Sequence, residues 1–537
     1  MSAARQLSQD HAAALAWLFS RTRAGAPRGD ERARRLLGAM GLAAPRQTAV
    51  VVGTNGKGSV TTMMARGLSA AGRRTGRFLS PHVEEFGERV AVDGVPLDPA
   101  AVIRFVRAAK RLSDEWPFGE ETRPAFFDWT LALALTEFER TGVESCVLEA
   151  GVGGLDDATH ATQPVALTVL TNVDLDHMEV LGPTLELIAR SKAGAFREGV
   201  PVVCGATQPG VVAIAAEVAE SLGAPFYLDP FTQPDLPDAP LGSSPTGLFA
   251  LPAEIELALR AGASQGVAKR HANRRANARL AAAALRLLGV DEAAVAAGLR
   301  APALPGRLER FRVAGPHGRD VMVVLDGAHD PAAAARLALE VQPGYVLLFG
   351  ALARKQGALV LERLLVGAAA VLVTEAAPGE GAAWAPAGST FVADTAAALD
   401  AAIATAAEQG GTAGTQGGDG AQQGGDDAAT VLVAGSLYLA GLVRPLLRAR
   451  GTRLADPWEL APGQAPSGQA PAGQAPAGQA PADWAQRCKP PLDLWMPATS
   501  PSSSIPMPPC RCVTMSRNSW GLVAVKVASS MAMRPAR

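Results

Sequence analysis

Seven residues, Gly53-Thr54-Asn55-Gly56-Lys57-Gly58-Ser59, lie between the strand-like run TAVVV and the helical stretch TTMMARGLSAAG. Glycines allow positive φ and close backbone approach, so several N–H groups can converge there on one anion. The helix N-terminus after the loop adds partial positive charge, and the Lys57 ammonium can reach terminal phosphates. A hydroxyl after the lysine helps to hold Mg2+, a role open to Ser59. The spacing departs from the usual phosphate loop, because Val51 occupies its first glycine position and Gly58 is inserted before the hydroxyl residue. A Gly-rich surface turn needs neither a strand before it nor a helix after it. The segment Thr54, Asn55, Gly56, Lys57, Gly58 and Ser59 therefore predicts ATP binding.

Three more side chains end or follow apolar runs. Ser80 follows one, Glu149 lies in CVLEA (146–150), and His177 comes after ALTVLTNV (166–173). Open α/β sheets place ligands at the carboxyl ends of their strands, where Mg2+ takes hard oxygen ligands and keeps several waters. Singly, each has an ordinary explanation: a Glu near Gly is often a loop charge, and a His is often a satisfied buried group.

These groups need a scaffold, and the chain supplies a repeating one. Helical spacing at 8–20, 30–42, 126–140, 184–197 and 272–289 alternates with strand-like runs such as VPVVCG (200–205). Alternation of this kind argues for crossover units around a buried parallel sheet. A second alternating block begins near 301, with VMVVLDG, a helix after Pro331, YVLLFG (345–350), AVLVTEA and VLVAGSLYLAGLVRPLL. The expected organisation is 1–298 for the ATP-binding domain, 299–450 for a smaller α/β domain carrying a flexible insertion at 409–427, and 451–537 for a low-complexity tail. The insertion and the tail account for the excess of Gly (56) and Pro (40) in 537 residues.

Composition narrows the function class. With 48% apolar and 19% charged residues the chain is globular. Lys+Arg 50 against Asp+Glu 51 leaves a net charge of −1, so there is no general basic field and no nucleic-acid partner is expected. Five cysteines in this length are no disulfide framework, and Cys510-Arg511-Cys512 lacks the partner pair of a metal site. No signal peptide and no run long enough to span a bilayer is apparent. A cytoplasmic enzyme without membrane contact, acting as a monomer, is the expectation.

GTNGKGS in this setting resembles the folylpolyglutamate synthase and dihydrofolate synthase family, relatives of the Mur peptidoglycan ligases. The resemblance extends through Ser80-Pro81-His82 with Glu88-Arg89-Val90, FFDWTLALALTEF, EAGVGGLDDATH (149–160), TNVDLDH and SKAGAF. In the second block it takes in PGRLE (305–309), DGAHDP (326–331) and GSLYLAG (435–441). Collinear motifs from about residue 8 to 448 are far more specific than the phosphate loop alone. The resemblance implies a Mur-ligase-like α/β fold, with an N-terminal P-loop ATPase-type parallel-sheet domain and a smaller C-terminal Rossmann-like domain. It implies addition of L-glutamate to dihydropteroate, to reduced folates, or to both, using ATP and Mg2+ with no flavin or nicotinamide.

Residue by residue, the resemblance assigns Mg2+ to Ser80, Glu149 and His177. It assigns nucleotide contacts to Asn277, Arg307 and Asp326, and a place near the reaction centre to His329. The pterin-bearing substrate would lie along Pro81, His82, Glu88 and Arg89 and near Asp157. Phe126, Phe127 and Trp129 offer it apolar faces, although helix packing explains them equally well. Lys192 matches a lysine that is N6-carboxylated in the family; a lysine of depressed pKa can react with CO2, whereas a phosphate contact or a solvated ammonium is the plain alternative. Arg307 equally fits an interdomain ion pair.

The chain departs from the family pattern at Asp330, where Asn is usual, at Arg354-Lys355-Gln356, where D-K-D is usual, and at Asn273 and Arg274, where His and Gln are usual. These departures support a non-catalytic ATP-binding relative as an alternative; retention of Ser80, Glu149, His177 and Lys192 opposes it. A Mur-type UDP-sugar peptide ligase is a second alternative, and only about 45 residues precede TAVVV to house a nucleotide-sugar domain.

Overall fold

The protein is described from a computed structural model, covering residues 3–22, 29–232, 246–261, 272–352, 356–377, 379–380, 385–386, 389–412, 429–456 and 459. The expected tail therefore lies almost wholly outside the described residues, as do Arg354 and Lys355.

Eight strands form the first sheet: β1 (Gln47–Val52), β2 (Thr75–Phe78), β3 (Val90–Val92), β4 (Val95–Pro96), β5 (Ser145–Glu149), β6 (Leu167–Leu170), β7 (Val202–Cys204) and β8 (Phe226–Leu228). Their order is β4-β3-β2-β5-β1-β6-β7-β8. From β2 to β8 the pairing is parallel, and β3 and β4 add an antiparallel edge. Strand residues alternate between two apolar layers, which is why the central strands read as unbroken apolar runs. Val50, Val52, Leu170 and Cys204 face one side, while Ala49, Val51, Val147 and Val169 face the other.

On the first side, α1 (Ala3–Phe19), α2 (Glu31–Met40), α4 (Pro99–Asp114) and α5 (Phe126–Arg140) cover one half of the sheet. Helices α7 (Leu185–Ala193) and α8 (Pro209–Ser221) cover the other half. On the second side, α3 (Lys57–Ala70) packs with α11 (Ala272–Leu287) and α12 (Glu292–Leu299). The short α6 (Met178–Leu181), α9 (Thr246–Phe249) and α10 (Ala253–Ala261) complete this lobe. Helix α3 carries the phosphate loop at its N-terminus, so the loop sits at the carboxyl edge of β1, between β5 and β6.

The second lobe is built on β9 (Glu309–Ala314), β10 (Asp320–Leu325), β11 (Tyr345–Phe349), β12 (Ala368–Val373), β13 (Thr390–Phe391), β14 (Thr430–Ala434) and β15 (Gly451–Arg453). Their order is β13-β12-β11-β14-β10-β9-β15, with β9 antiparallel to both neighbours. Helices α13 (Pro331–Glu340) and α14 (Gly357–Leu365) pack on one face, α15 (Thr395–Thr412) and α16 (Leu437–Arg450) on the other. Two expected boundaries move. Strand β15 continues this sheet past residue 450, held by Arg453, which reaches Glu309 at 3.4 Å and Glu459 at 2.8 Å. Residues 409–412 end helix α15, because the alanine-rich run before them keeps its helical period; 413–428 lie outside the described residues.

The lobes also meet through Arg444 of α16. It donates to both oxygens of Glu309 at 2.7 and 2.8 Å and to Glu84 in the first lobe. Burial alone would lower the Arg444 pKa, but Glu309 and Glu84 hold it above its usual value. Among the described residues no helix is long and apolar enough to cross a membrane.

Candidate active site

The phosphate loop is shaped by two glycines. Gly53 has φ +147° and Gly56 φ +82°, conformations that side chains resist. A Cβ on Gly56 would lie 2.4 Å from Oδ1 of Asn277, and one on Gly53 would lie 2.0 Å from Oγ1 of Thr171. Asn277 of α11 thus packs directly on the loop. The loop is tied down from β6: the Asn55 N–H donates to Oδ1 of Asn172 at 2.9 Å, and Thr171 Oγ1 donates to Asn55 O at 2.7 Å. Nδ2 of Asn55 is buried with no hydrogen-bond partner among the described residues. A buried amide donor without an acceptor is costly, and in a glycine cradle at a helix N-terminus it fits a phosphate oxygen.

Two lysines enclose the same loop. Lys57 Nζ donates to Gly53 O and Thr54 O, both at 3.1 Å. Lys192 is 2% exposed and its Nζ donates to Gly53 O at 2.8 Å. Burial, then the Lys57 ammonium, lowers the Lys192 pKa from 10.5 to about 7, against the pull of Asp176 and Asp157. A large neutral-amine fraction at physiological pH is the form that attacks CO2.

Glu149 is buried at the end of β5. Its Oε2 accepts the Ser80 N–H at 3.2 Å and lies 3.3 Å from where a Cβ on Gly58 would be. Burial raises its pKa, opposed by Lys57, the Ser80 N–H, Arg307 and Arg89. Ser80 and Glu149 are therefore adjacent at the first turn of α3. His177 takes a left-handed backbone (φ 51°) before α6, with Nε2 3.5 Å from Asp176 and Nδ1 3.8 Å from Glu179. Among the described residues no three His, Cys, Asp or Glu side chains cluster closely enough to cage an ion. The Ser80 hydroxyl and the Glu149 carboxylate are hard oxygen donors of the kind Mg2+ takes.

Several residues expected at ligand contacts also organise backbone. Glu88 accepts the N–H groups of Val83, Glu84 and Glu85 at 2.8 to 2.9 Å. Asp157 accepts from Val152 at 2.9 Å, and from the N–H and hydroxyl of Thr159 at 3.0 and 2.7 Å. Asp326 accepts from Leu308 at 2.9 Å and Ala328 at 2.8 Å, joining the loop of Arg307 to the loop of His329. His329 Nδ1 is 2.8 Å from Gly327 O. Asp330 caps α13 by accepting the Ala333 N–H at 2.8 Å, a role Asp and Asn fill equally well. Arg274 donates to the carbonyls of Leu299 and Ala301 at 2.9 and 2.7 Å.

Beyond Pro81 the side chains of Phe19, His82, Phe86 and Phe126 form an aromatic cluster. Arg89 donates from Nε to Nδ1 of His82 at 2.8 Å, and its guanidinium lies over Phe126 and Phe86 at 5.1 and 5.9 Å. Burial, then Arg89, keeps His82 neutral by pushing its pKa well below 6.5. The three aromatics of α5 divide: Trp129 is fully buried between Trp17 and Phe105 and serves the core, whereas Phe127 is half-buried beside Gly151. Sequence reasoning missed Asp174 and Asp176, although both stand inside TNVDLDH, and missed Arg336 altogether.

The Mur ligase middle domain matches residues 51–203. The dihydrofolate synthase/folylpolyglutamate synthase of Bacillus subtilis is 31% identical over 339 residues, covering 60% of this chain and 74% of that protein. The chain belongs to the dihydrofolate synthase/folylpolyglutamate synthase family. A folylpolyglutamate synthase of Lacticaseibacillus casei is 38% identical over 177 residues, covering 32% of this chain and 40% of that protein. Among solved structures, E. coli FolC in complex with DHPP and ADP aligns at TM-score 0.62 and 26% identity, over 82% of this chain and 98% of that one. The bifunctional enzyme of Yersinia pestis, complexed with AMPPNP and a Mn ion, aligns at TM-score 0.60 and 25% identity, over 82% of this chain and 98% of that one. Family membership makes the chain an ATP-dependent ligase and sets aside the UDP-sugar ligase alternative.

Proposed function

We propose that this enzyme joins L-glutamate to dihydropteroate, to reduced folates, or to both, through an acyl phosphate. The observation that carries the reading is the convergence of Lys57, Lys192 and the Ser80–Glu149 pair on one glycine loop. A free carboxylate cannot form an amide, because oxide would have to leave. Transfer of the ATP terminal phosphoryl group to that carboxylate gives a leaving group of ordinary quality. The neutral amine of glutamate then attacks the acyl carbon and expels inorganic phosphate.

In this reading Lys57, Nδ2 of Asn55 and the N–H groups of Gly56 to Ser59 neutralise charge on the phosphoryl group in transfer, the dominant need of such reactions. Asn277 and Arg307 hold the nucleotide, and Asp326 positions Arg307. Ser80, Glu149 and His177 would hold Mg2+, which would supply charge neutralisation to the phosphates. Lys192, once carboxylated, would offer further oxygen donors. Arg89, His82 and Phe127 face the acceptor along the segment that Pro81 begins, while Glu88 and Asp157 shape the loops around it. His329 stands near the acyl centre. A monomer is part of the same reading, as is a cytoplasmic location, with which the buried thiols of Cys146 and Cys204 agree.

The test is phosphate release by the purified protein with ATP, Mg2+ and glutamate. Release should require dihydropteroate or a folate, and mass spectrometry should show one added glutamyl residue. Stimulation by neither acceptor refutes the reading; the pair compared decides between synthase, polyglutamylase and both.

A further inference from the structure

The second lobe touches the phosphate loop through a residue outside all of the family motifs. Arg336 lies in α13, seven positions after His329. Its Nη1 donates to Oδ2 of Asp174 at 2.9 Å, from one lobe to the other. Asp174 in turn clasps Thr54: its N–H donates to Thr54 Oγ1 at 3.0 Å, and that hydroxyl donates to Asp174 O at 3.3 Å. Thr54 O accepts from Lys57 Nζ at 3.1 Å. An unbroken run of direct contacts therefore links the second lobe to the lysine of the phosphate loop.

Stability does not account for Arg336. The pair is about a quarter exposed, 27% for Arg336 and 28% for Asp174, and pairs so exposed add little. Nη2 of Arg336 is buried with no hydrogen-bond partner among the described residues, an arrangement that disfavours the fold. An arginine kept under those terms fits a site that needs the two lobes in register.

We propose that Arg336 is a positioning residue that couples the seating of the second lobe, through Asp174 and Thr54, to the setting of Lys57. Phosphoryl transfer would then be fast only when the cleft is covered. Without the contact, the loop fires in an uncovered site, and water replaces glutamate at the acyl phosphate, returning the free carboxylic acid and inorganic phosphate. The inference rests on the ligase reading.

The experiment measures phosphate and glutamyl product in parallel for the full chain. Wild type should give about one phosphate per amide; absence of any amide from wild type would sink the ligase reading itself, a result distinct from uncoupling in a variant. Arg336→Gln should lower kcat by roughly 10- to 100-fold, since small misplacements cost that much, and raise the phosphate-to-amide ratio at least about twofold. Asp174→Asn should do the same, and Arg336→Lys should restore part of the coupling. The charge swap Arg336→Asp with Asp174→Arg should return the ratio toward one. Melting temperatures identify any variant that does not fold, and the remaining variants then carry the test. An unchanged ratio in the folded single variants, or a swap as uncoupled as they are, overturns the proposal.

Discussion

Lys192→Met separates the cost of a buried amine from its use. Nζ is 2% exposed, and burial with the Lys57 ammonium lowers its pKa from 10.5 to about 7. Such a fall corresponds to a penalty of about 5 kcal/mol on the charged form. Methionine removes that penalty and also removes the bond from Nζ to Gly53 O, which returns about 1.5–3 kcal/mol. The net is a gain of about 2–3.5 kcal/mol at pH 6 in CO2-free buffer. The sign comes from linkage: with the folded pKa below the unfolded one, the unfolded state binds more protons between pH 7 and 10.5, so wild-type stability rises across that window. The advantage of the variant should be full at pH 6 and gone by about pH 10. Thermal unfolding at pH 6, 8 and 10 checks this, alongside turnover, which the variant should lack and which bicarbonate should stimulate only in wild type. A Lys192→Met protein less stable than wild type at pH 6 would refute the reasoning.

Gly56→Ala places a methyl at φ +82°, 2.4 Å from Oδ1 of Asn277. Strain of about 1–3 kcal/mol there should raise the KM for ATP at least tenfold while the KM for the acceptor stays unchanged, and steady-state kinetics will show the split. Ending the chain after Arg450 removes β15 and the Arg453–Glu309, Arg453–Glu459 and Arg310–Asp456 pairs. That truncation should cost about 3 kcal/mol in chemical denaturation, whereas ending it after residue 460 should preserve both stability and activity.

The central strands were legible because both faces are buried: Val50, Val51 and Val52 give no polar alternation to obscure the run. The phosphate loop was legible because strand, glycines, lysine and helix are contiguous. Edge strands were not. β4 has two residues, both exposed, and β15 is Gly-Thr-Arg, which becomes a strand only because Val313, Arg312 and Phe311 offer it a ladder. Partnerships between lobes leave no local pattern at all: Asp174 and Arg336 are 162 positions apart, and Glu84 and Arg444 are 360 apart. The local bonds of the carboxylates were equally hidden: Glu88, Asp157 and Asp326 each accept backbone N–H groups from neighbouring loops.

The departures from the family pattern then acquire a physical meaning. Arg274 stands where Gln is usual, and its guanidinium binds the carbonyls of Leu299 and Ala301 just before the second lobe begins. Burial brings its pKa down to about 10, although Asp456 and Glu459 oppose that fall. A half-buried cation is thus committed to the junction and to the acids after β15. Asn277, three residues further along α11 and so on the same helix face, remains packed on Gly56. The arginine at 274 thus leaves the contact of Asn277 with the loop in place. The carbonyls it braces lie where the chain passes from one lobe to the other, the same two lobes that the Arg336–Asp174 pair joins.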